Sequence, residues 1–195
     1  LDGKLLAATY GRPCSVHMDP IEKKPLFHFL PGTAIFSVAT VGCNLHCRNC
    51  QNHSISQAMP EEFEAYEVSP EKLVEAAERE QAISIAYTYT EPLVYYEYTL
   101  DCARQARAAG LNNVLVTAGY INQEPLRELL PYIDAANVDL KAFDDKFYKE
   151  ECGATLKPVL NTLETMVKEG VWLEITNLLV PTLNDDRGQI EKMCR

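Results

Sequence analysis

Five short apolar runs, each followed by a helix-like pattern, frame what this chain of 195 residues can fold into. They are AIFSVAT (Ala34 to Thr40), ISIAYT (Ile83 to Thr88), NVLVT (Asn113 to Thr117), AANVDL (Ala135 to Leu140) and VWLEITNLLV (Val171 to Val180). None alternates cleanly between apolar and polar residues. Burial on both faces is therefore expected, as in a parallel sheet. Ser69-Pro70 is expected to open a helix, with Ser69 capping and Pro70 in the first turn. EPLVYYEYTLDCARQARAA reads as a helix with Pro92 in its first turn and Gly110 just past its end. A short helix is expected from about Asn122 to Leu130. Phe143 to Glu151 is polar and helix-like, Val159, Leu160, Leu163, Met166 and Val167 recur at helical spacing, and one more helix starts after Asp185. Right-handed crossovers would curl such units into an open sheet or a partial or full barrel.

About half the residues are apolar and about a quarter charged, which suits a globular chain with a sizeable core. No apolar run is long enough to span a bilayer, and no signal-peptide pattern opens the sequence, so the expected location is cytoplasmic with no membrane partner. A net charge of −10 argues against broad binding of a nucleic-acid backbone. The odd count of seven cysteines speaks against a disulfide scaffold. Leu1 stands in place of Met, and DDRGQIEKMCR reads as a helix stopped midway, so a piece of a longer chain is expected.

Three of the cysteines are clustered in VGCNLHCRNCQNH, as Cys43, Cys47 and Cys50, directly after the first apolar run. Other chemistry-bearing residues also follow strands: Thr88 to Glu91, Thr117, and Asp139 with Lys141. In a barrel these positions meet on one rim. Thiolates suit zinc or an iron–sulfur cluster. A structural zinc wants four ligands, and His46 or His53 could complete a Cys3His set. Three thiolates on a four-iron cubane leave one iron open to a small chelating molecule.

The C-x3-C-x2-C loop after a first barrel strand resembles the cluster loop of radical S-adenosylmethionine (radical SAM) enzymes. RPCSVHMDPIEKKPLFHFLPGT, GCNLHCRNCQN and YTYTEP are similar to the radical SAM member of the AmmeMemoRadiSam system, a group that resembles pyruvate formate-lyase-activating enzymes. The resemblance implies an α/β fold of the partial (β/α)6-type TIM barrel, here with about five βα units and the C-terminal part missing. It implies residues 1–33 as an N-terminal extension packing on a core of residues 34–195. It also implies a [4Fe-4S] cluster on Cys43, Cys47 and Cys50, with SAM on the open iron. One electron would then break the sulfonium C–S bond, and the 5′-deoxyadenosyl radical would take a hydrogen atom from a substrate.

Residue by residue, Tyr89-Thr90-Glu91-Pro92 matches the family's Gly-Gly-Glu-Pro, with both glycines replaced. Thr88, Thr90 and Glu91 are thereby implied in SAM binding, the last two as acceptors for its ammonium group; the alternative is that Thr90 and Glu91 cap the helix at Pro92. VDLKAF matches an Asp-Leu-Lys, which implies Asp139 and Lys141 as SAM contacts; the alternative is a rim salt bridge. VTAGYI matches Thr-Asn-Gly, so only Thr117 carries over. Asn49 stands where many members have an aromatic residue near the adenine, and Thr176 is a weaker candidate for the pocket wall.

Cys14, His17 and His28 are read as packing, with cover of the barrel mouth or substrate contacts as the alternatives, Cys102 as a small buried apolar residue, and Cys152 and Cys194 are given no role. Tyr87, Tyr89, Tyr95, Tyr96 and Tyr98 are read as packing residues rather than a radical relay. The implied electron donor is a flavodoxin or ferredoxin, and the substrate stays open among a glycyl radical enzyme, a protein partner of the AmmeMemoRadiSam system and a small molecule; the ferredoxin-like insertion of many activating enzymes is absent between Cys50 and Tyr87. Two other classes stay open: a zinc-stabilised α/β binding module, and an electron-carrying iron–sulfur protein without SAM chemistry.

Overall fold

A computed structural model describes residues 7–63 and 66–195; residues 1–6 of the expected N-terminal extension lie outside the described residues. Six strands form one sheet in the order β1 (Ser15–Pro20), β2 (Ala34–Ala39), β3 (Ser84–Tyr87), β4 (Asn112–Thr117), β5 (Ala135–Asp139) and β6 (Trp172–Thr176). Strands β2 to β6 run parallel, and β1 is antiparallel to β2. The sheet is open, with β1 and β6 at its edges, and is a partial TIM barrel. The five apolar runs are its five parallel strands. The strand β1 was not anticipated, because SVHMDP carries no strong apolar pattern.

The connections are α1 (His53–Ser56), α2 (Pro70–Arg79), α3 (Tyr96–Ala108), α4 (Gln123–Leu129), α5 (Asp145–Phe147), α6 (Leu156–Lys168) and α7 (Arg187–Met193). The Ser69 hydroxyl accepts from Lys72 N at 3.4 Å and Pro70 opens α2, as the cap pattern requires. Helix α3 starts later than expected, at Tyr96 instead of Pro92. Tyr95 is fully buried, and its hydroxyl donates to Thr88 O at 2.8 Å. That anchor holds residues 92–95 in a turn outside the helix. The last strand is also shorter than expected. After Thr176 the chain leaves the sheet, and Asn184 closes a turn by accepting from Val180 N and donating to Lys141 O and Leu178 O.

Strand residues alternate between two differently covered faces. Phe36, Val38, Ile85, Tyr87, Leu115, Ala136 and Val138 point to the helices and build the main core. Ile35, Ala86, Val114 and Ala135 point the other way, against Ile21 and Leu26 of the N-terminal segment. Thr88 follows Ala86 by two, and Asn137 and Asp139 follow Ala135 by two and four; Thr176 is paired with Asp139. These polar residues therefore stand on the face away from the helices, beyond the small second core.

Candidate active site

A cavity of about 320 Å³ opens at the C-terminal ends of the parallel strands. All eleven residues singled out in the sequence line it: Cys43, Cys47, Asn49, Cys50, Thr88, Thr90, Glu91, Thr117, Asp139, Lys141 and Thr176. His46 and His53 do not line it, and both are exposed.

The cysteine loop is held by its backbone. His46 N donates to Cys152 O and Arg48 N to Glu151 O, each at 2.9 Å. Gly42 N donates to Ile55 O, and the Gln57 side chain donates to Leu45 O at 2.9 Å. The Thr90 hydroxyl donates to the carbonyls of Thr40 and Gly42, tying the loop after β3 to the cysteine loop. The segment Tyr148–Cys152, a π turn, is thus a dock for the thiol loop. Cys152, given no role in the sequence, is buried beside Cys47. The neighbouring Cys152 thiol is the chief cause that lowers the Cys47 pKa, with Lys141 adding to it. Burial pushes Cys43 up to about 11.

Glu91 is almost fully buried. Its carboxylate accepts from Thr117 Oγ1 at 2.5 Å, Ala118 N at 2.8 Å and Leu93 N at 3.2 Å. Burial raises its pKa, and these donors oppose the rise. Glu91 is not an N-cap at Pro92, because the helix begins later; it fastens the β3 loop to the end of β4. Four lone-pair sites and three donors leave one acceptor site toward the cavity.

Asp139 and Lys141 pair at 2.7 Å, so the rim salt bridge exists within the cavity wall. Burial lowers the Lys141 pKa, but Asp139 overrides it and the pKa stands raised. Thr176 exchanges hydrogen bonds with the Asn137 amide, at 3.0 and 3.1 Å. Thr88 is buried, and its hydroxyl has no partner among the described residues. A buried hydroxyl without a partner at a cavity wall fits a polar ligand.

The tyrosines divide. Tyr87, Tyr95 and Tyr98 are fully buried in the core, whereas Tyr89 lines the cavity. Lys23, Pro25, Gln51, Asn52, Ser56, Asn137 and Leu178 also line it and were not singled out. Gln51, Asn52 and Ser56 follow the third cysteine, so their nearness to the thiols was the available signal; Lys23, Pro25, Asn137 and Leu178 enter through the docking of the N-terminal segment and the course of β5 and β6, which spacing does not show.

Two different metal sites make different demands on the three thiols. A single zinc needs its ligands drawn to about 2.3 Å from one point. Among the described residues no three His, Cys, Asp or Glu side chains converge in that way. A cubane is wider and takes one thiolate at each of three corners. The three half-buried thiols of one loop, facing a cavity with unspent polar groups, fit the wider group with a ligand beside it.

The profile of the radical SAM superfamily matches residues 37–194. An uncharacterized protein of Methanocaldococcus jannaschii is 50% identical over 186 residues, which is 95% of this chain and 55% of that protein. A pyruvate formate-lyase-activating enzyme of Clostridium pasteurianum is 27% identical over 155 residues, 78% of this chain and 65% of that enzyme. The chain thus spans about half to two thirds of the length of these relatives. The structure of TYW1 with a lysine-pyruvate adduct bound shares the fold at a TM-score of 0.59 and 18% identity, covering 88% of this chain and 67% of that one.

Proposed function

The chain belongs to the radical SAM superfamily, and on that premise we propose that it cleaves S-adenosylmethionine reductively and directs the product radical at a hydrogen atom of a substrate. The observation that carries the reading is the joint placement of the three thiols, Glu91, Asp139 and Lys141 around one cavity. When bound, a [4Fe-4S] cluster with one iron open to SAM supplies the electron that breaks the sulfonium C–S bond and yields the 5′-deoxyadenosyl radical.

The chain's own residues then do the binding and orienting. Cys43, Cys47 and Cys50 hold the cluster from a loop braced on both sides. Glu91 offers its remaining acceptor site to the SAM ammonium group, with the Thr90 oxygen beside it. Lys141 is the cation for the SAM carboxylate, and Asp139 fixes its ammonium by the existing ion pair. Thr88 gives its unpartnered hydroxyl to the bound nucleoside. Thr117 holds Glu91, Thr176 holds the cavity wall through Asn137, and Asn49 lies at the edge where the adenine would rest.

The likeness to a pyruvate formate-lyase-activating enzyme supports a protein substrate of the glycyl radical enzyme kind; a partner of the AmmeMemoRadiSam system is the other candidate, on the resemblance of the sequence motifs. A low-potential flavodoxin or ferredoxin would donate the electron. In this reading residues 1–33 are an extension on the core of residues 34–195, and the chain works in the cytoplasm.

The test is anaerobic. Reconstituted protein with dithionite and SAM should be brown, contain iron and sulfide, and form 5′-deoxyadenosine. Cys47→Ala should lower that yield more than a hundredfold while keeping the far-ultraviolet circular dichroism of the parent. A colourless protein carrying one zinc would overturn the proposal, as would clustered protein that binds SAM without cleaving it.

A further inference from the structure

A second group of charged side chains stands beside the same cavity. Asp19, at the end of β1, accepts from Lys23 Nζ at 2.7 Å and from Lys24 Nζ at 2.8 Å. The Lys24 side chain is fully buried, at 0% exposure. Its ammonium also donates to the Tyr89 hydroxyl at 3.1 Å and stands 4.6 Å from the centre of that ring. Tyr89 and Lys23 line the cavity, while Asp19 and Lys24 lie behind them.

The charges in this group do not balance. Two ammonium groups share one carboxylate, and Asp19 is the only carboxylate paired with either of them among the described residues. Asp19 compensates the buried Lys24; Lys23, whose side chain is 60% exposed, shares that carboxylate and leaves one positive charge over beside the cavity. The hydrogen-bond inventory points the same way. The Tyr89 oxygen accepts from Lys24, so its own proton is left to donate. Lys23 has three N–H donors and uses one on Asp19. Lys23 and Tyr89 therefore present donors and a single surplus positive charge to the cavity. Their complement is a monoanion with two acceptor oxygens.

We propose that Lys23 and Tyr89, positioned by the buried Asp19–Lys24 pair, form a subsite that binds a carboxylate of the substrate. The inference rests on the proposed radical chemistry only in assigning SAM to the cysteine loop and to Thr88, Thr90, Glu91, Asp139, Lys141 and Thr176, which leaves Lys23 and Tyr89 to the second ligand. One excess charge selects a carboxylate over a phosphate dianion. The carboxylate belongs to a small acid or to an acidic side chain of a partner protein, and the chemistry at the subsite is the same.

Carboxylate probes and their neutral amides separate these sources. N-acetylglycine and N-acetylglycinamide represent the small acid. The capped peptides Ac-Gly-Glu-Gly-NH2 and Ac-Gly-Gln-Gly-NH2 represent the side chain. Binding to the anaerobically reconstituted protein is followed by ligand-observed nuclear magnetic resonance in the presence of SAM. At least one carboxylate should bind ten times more tightly than its amide. Lys23→Met and Tyr89→Phe should each remove most of that preference, Lys23→Arg should retain it, and the loss should exceed any loss of SAM affinity at least fivefold.

The absence of a carboxylate preference in both pairs overturns the proposal, as does a preference that survives Lys23→Met. A selective loss of SAM affinity in the variants also overturns it, since the anion would then be the carboxylate of SAM. Protein that shows the preference but never forms 5′-deoxyadenosine would refute the proposed function and leave the subsite standing. Protein that forms 5′-deoxyadenosine without the preference would do the reverse.

Discussion

Two buried carboxylates show how differently the same group can be used. Glu91 accepts from three donors and has no cation in direct contact among the described residues. A glutamine there replaces one oxygen by an NH2 group, which would face either the Ala118 N–H or the Leu93 N–H and Thr117 hydroxyl. Glu91→Gln should therefore destabilise the fold by about 1–3 kcal/mol, read as a lower midpoint in urea with an unchanged slope. Asp19 instead sits between two ammonium groups. Burial pushes its pKa up, but Lys23 and Lys24 outweigh this and bring it from 3.8 down to about 2. For a depressed acid the stabilisation is present above the ordinary value and lost as pH falls through the folded value. Asp19→Asn strands the buried Lys24 ammonium, which should cost about 3–5 kcal/mol at pH 7. The gap from the parent should close between pH 3.8 and about 2, where the parent carboxylate is itself protonated. Denaturant titrations across that range check both parts; a gap that stays constant with pH would show that Asp19 does not act through its charge. At this scale the sequence was legible where a motif named the residue, as with Cys43, Glu91 and Lys141. It was silent on Lys23 and Lys24, because a lysine pair after a strand looks like any solvated turn.

At the scale of elements, the thiol loop depends on a segment over a hundred residues away in sequence. The turn Tyr148–Cys152 receives the loop through two backbone hydrogen bonds and ends at Gly153. Gly153 has a φ of +66° and packs where a Cβ would stand 3.7 Å from the His46 Cβ. Space is adequate there, so backbone conformation decides the outcome. Gly153→Ala should cost about 1–2 kcal/mol. Because the strain falls on the dock, reconstituted protein should also lose iron to a chelator faster than the parent. Equal chelation rates would mean that the dock does not steady the loop. The helix-like character of residues 143–151 was readable from their polarity. Their role as a dock was not, because backbone-to-backbone contacts between distant segments leave no residue signature. The late start of α3 is a related case. Pro92 is a sound helix opener, but a buried tyrosine hydroxyl bonded to Thr88 O outweighs a local preference that tertiary context routinely overrides.

At the scale of the whole molecule, the N-terminal segment closes one face of the open sheet. The Glu174 carboxylate on β6 accepts from Phe27 N at 2.9 Å and His28 N at 3.0 Å, and Asn137 donates to Pro25 O at 3.0 Å. The two contacts tie the segment to the far edge of the sheet, while β1 ties it to the near edge. Glu174→Ala should raise amide exchange across residues 21–30 as a unit, with the amides of β3 to β5 unchanged, because such segments open locally before the core does. Exchange rising evenly over the sheet would argue against a separately opening segment. No helix among the described residues is long and apolar enough to cross a membrane. The edge strand β6 leaves Trp172 and Ile175 about half exposed, with Leu178 and Leu179 beyond it. The sequence by itself determined the parallel α/β frame and the thiol trio, because strand burial and ligand spacing are local patterns written in consecutive residues. Only the tertiary structure decided that β1 joins the sheet as an edge strand and residues 21–30 cover its second face, that Tyr148–Cys152 carries the thiol loop, and that Lys23 and Tyr89 share a cavity with the cysteines. Those relations join residues far apart in sequence, and their energy comes from compensating buried charge and backbone groups, which no local pattern encodes.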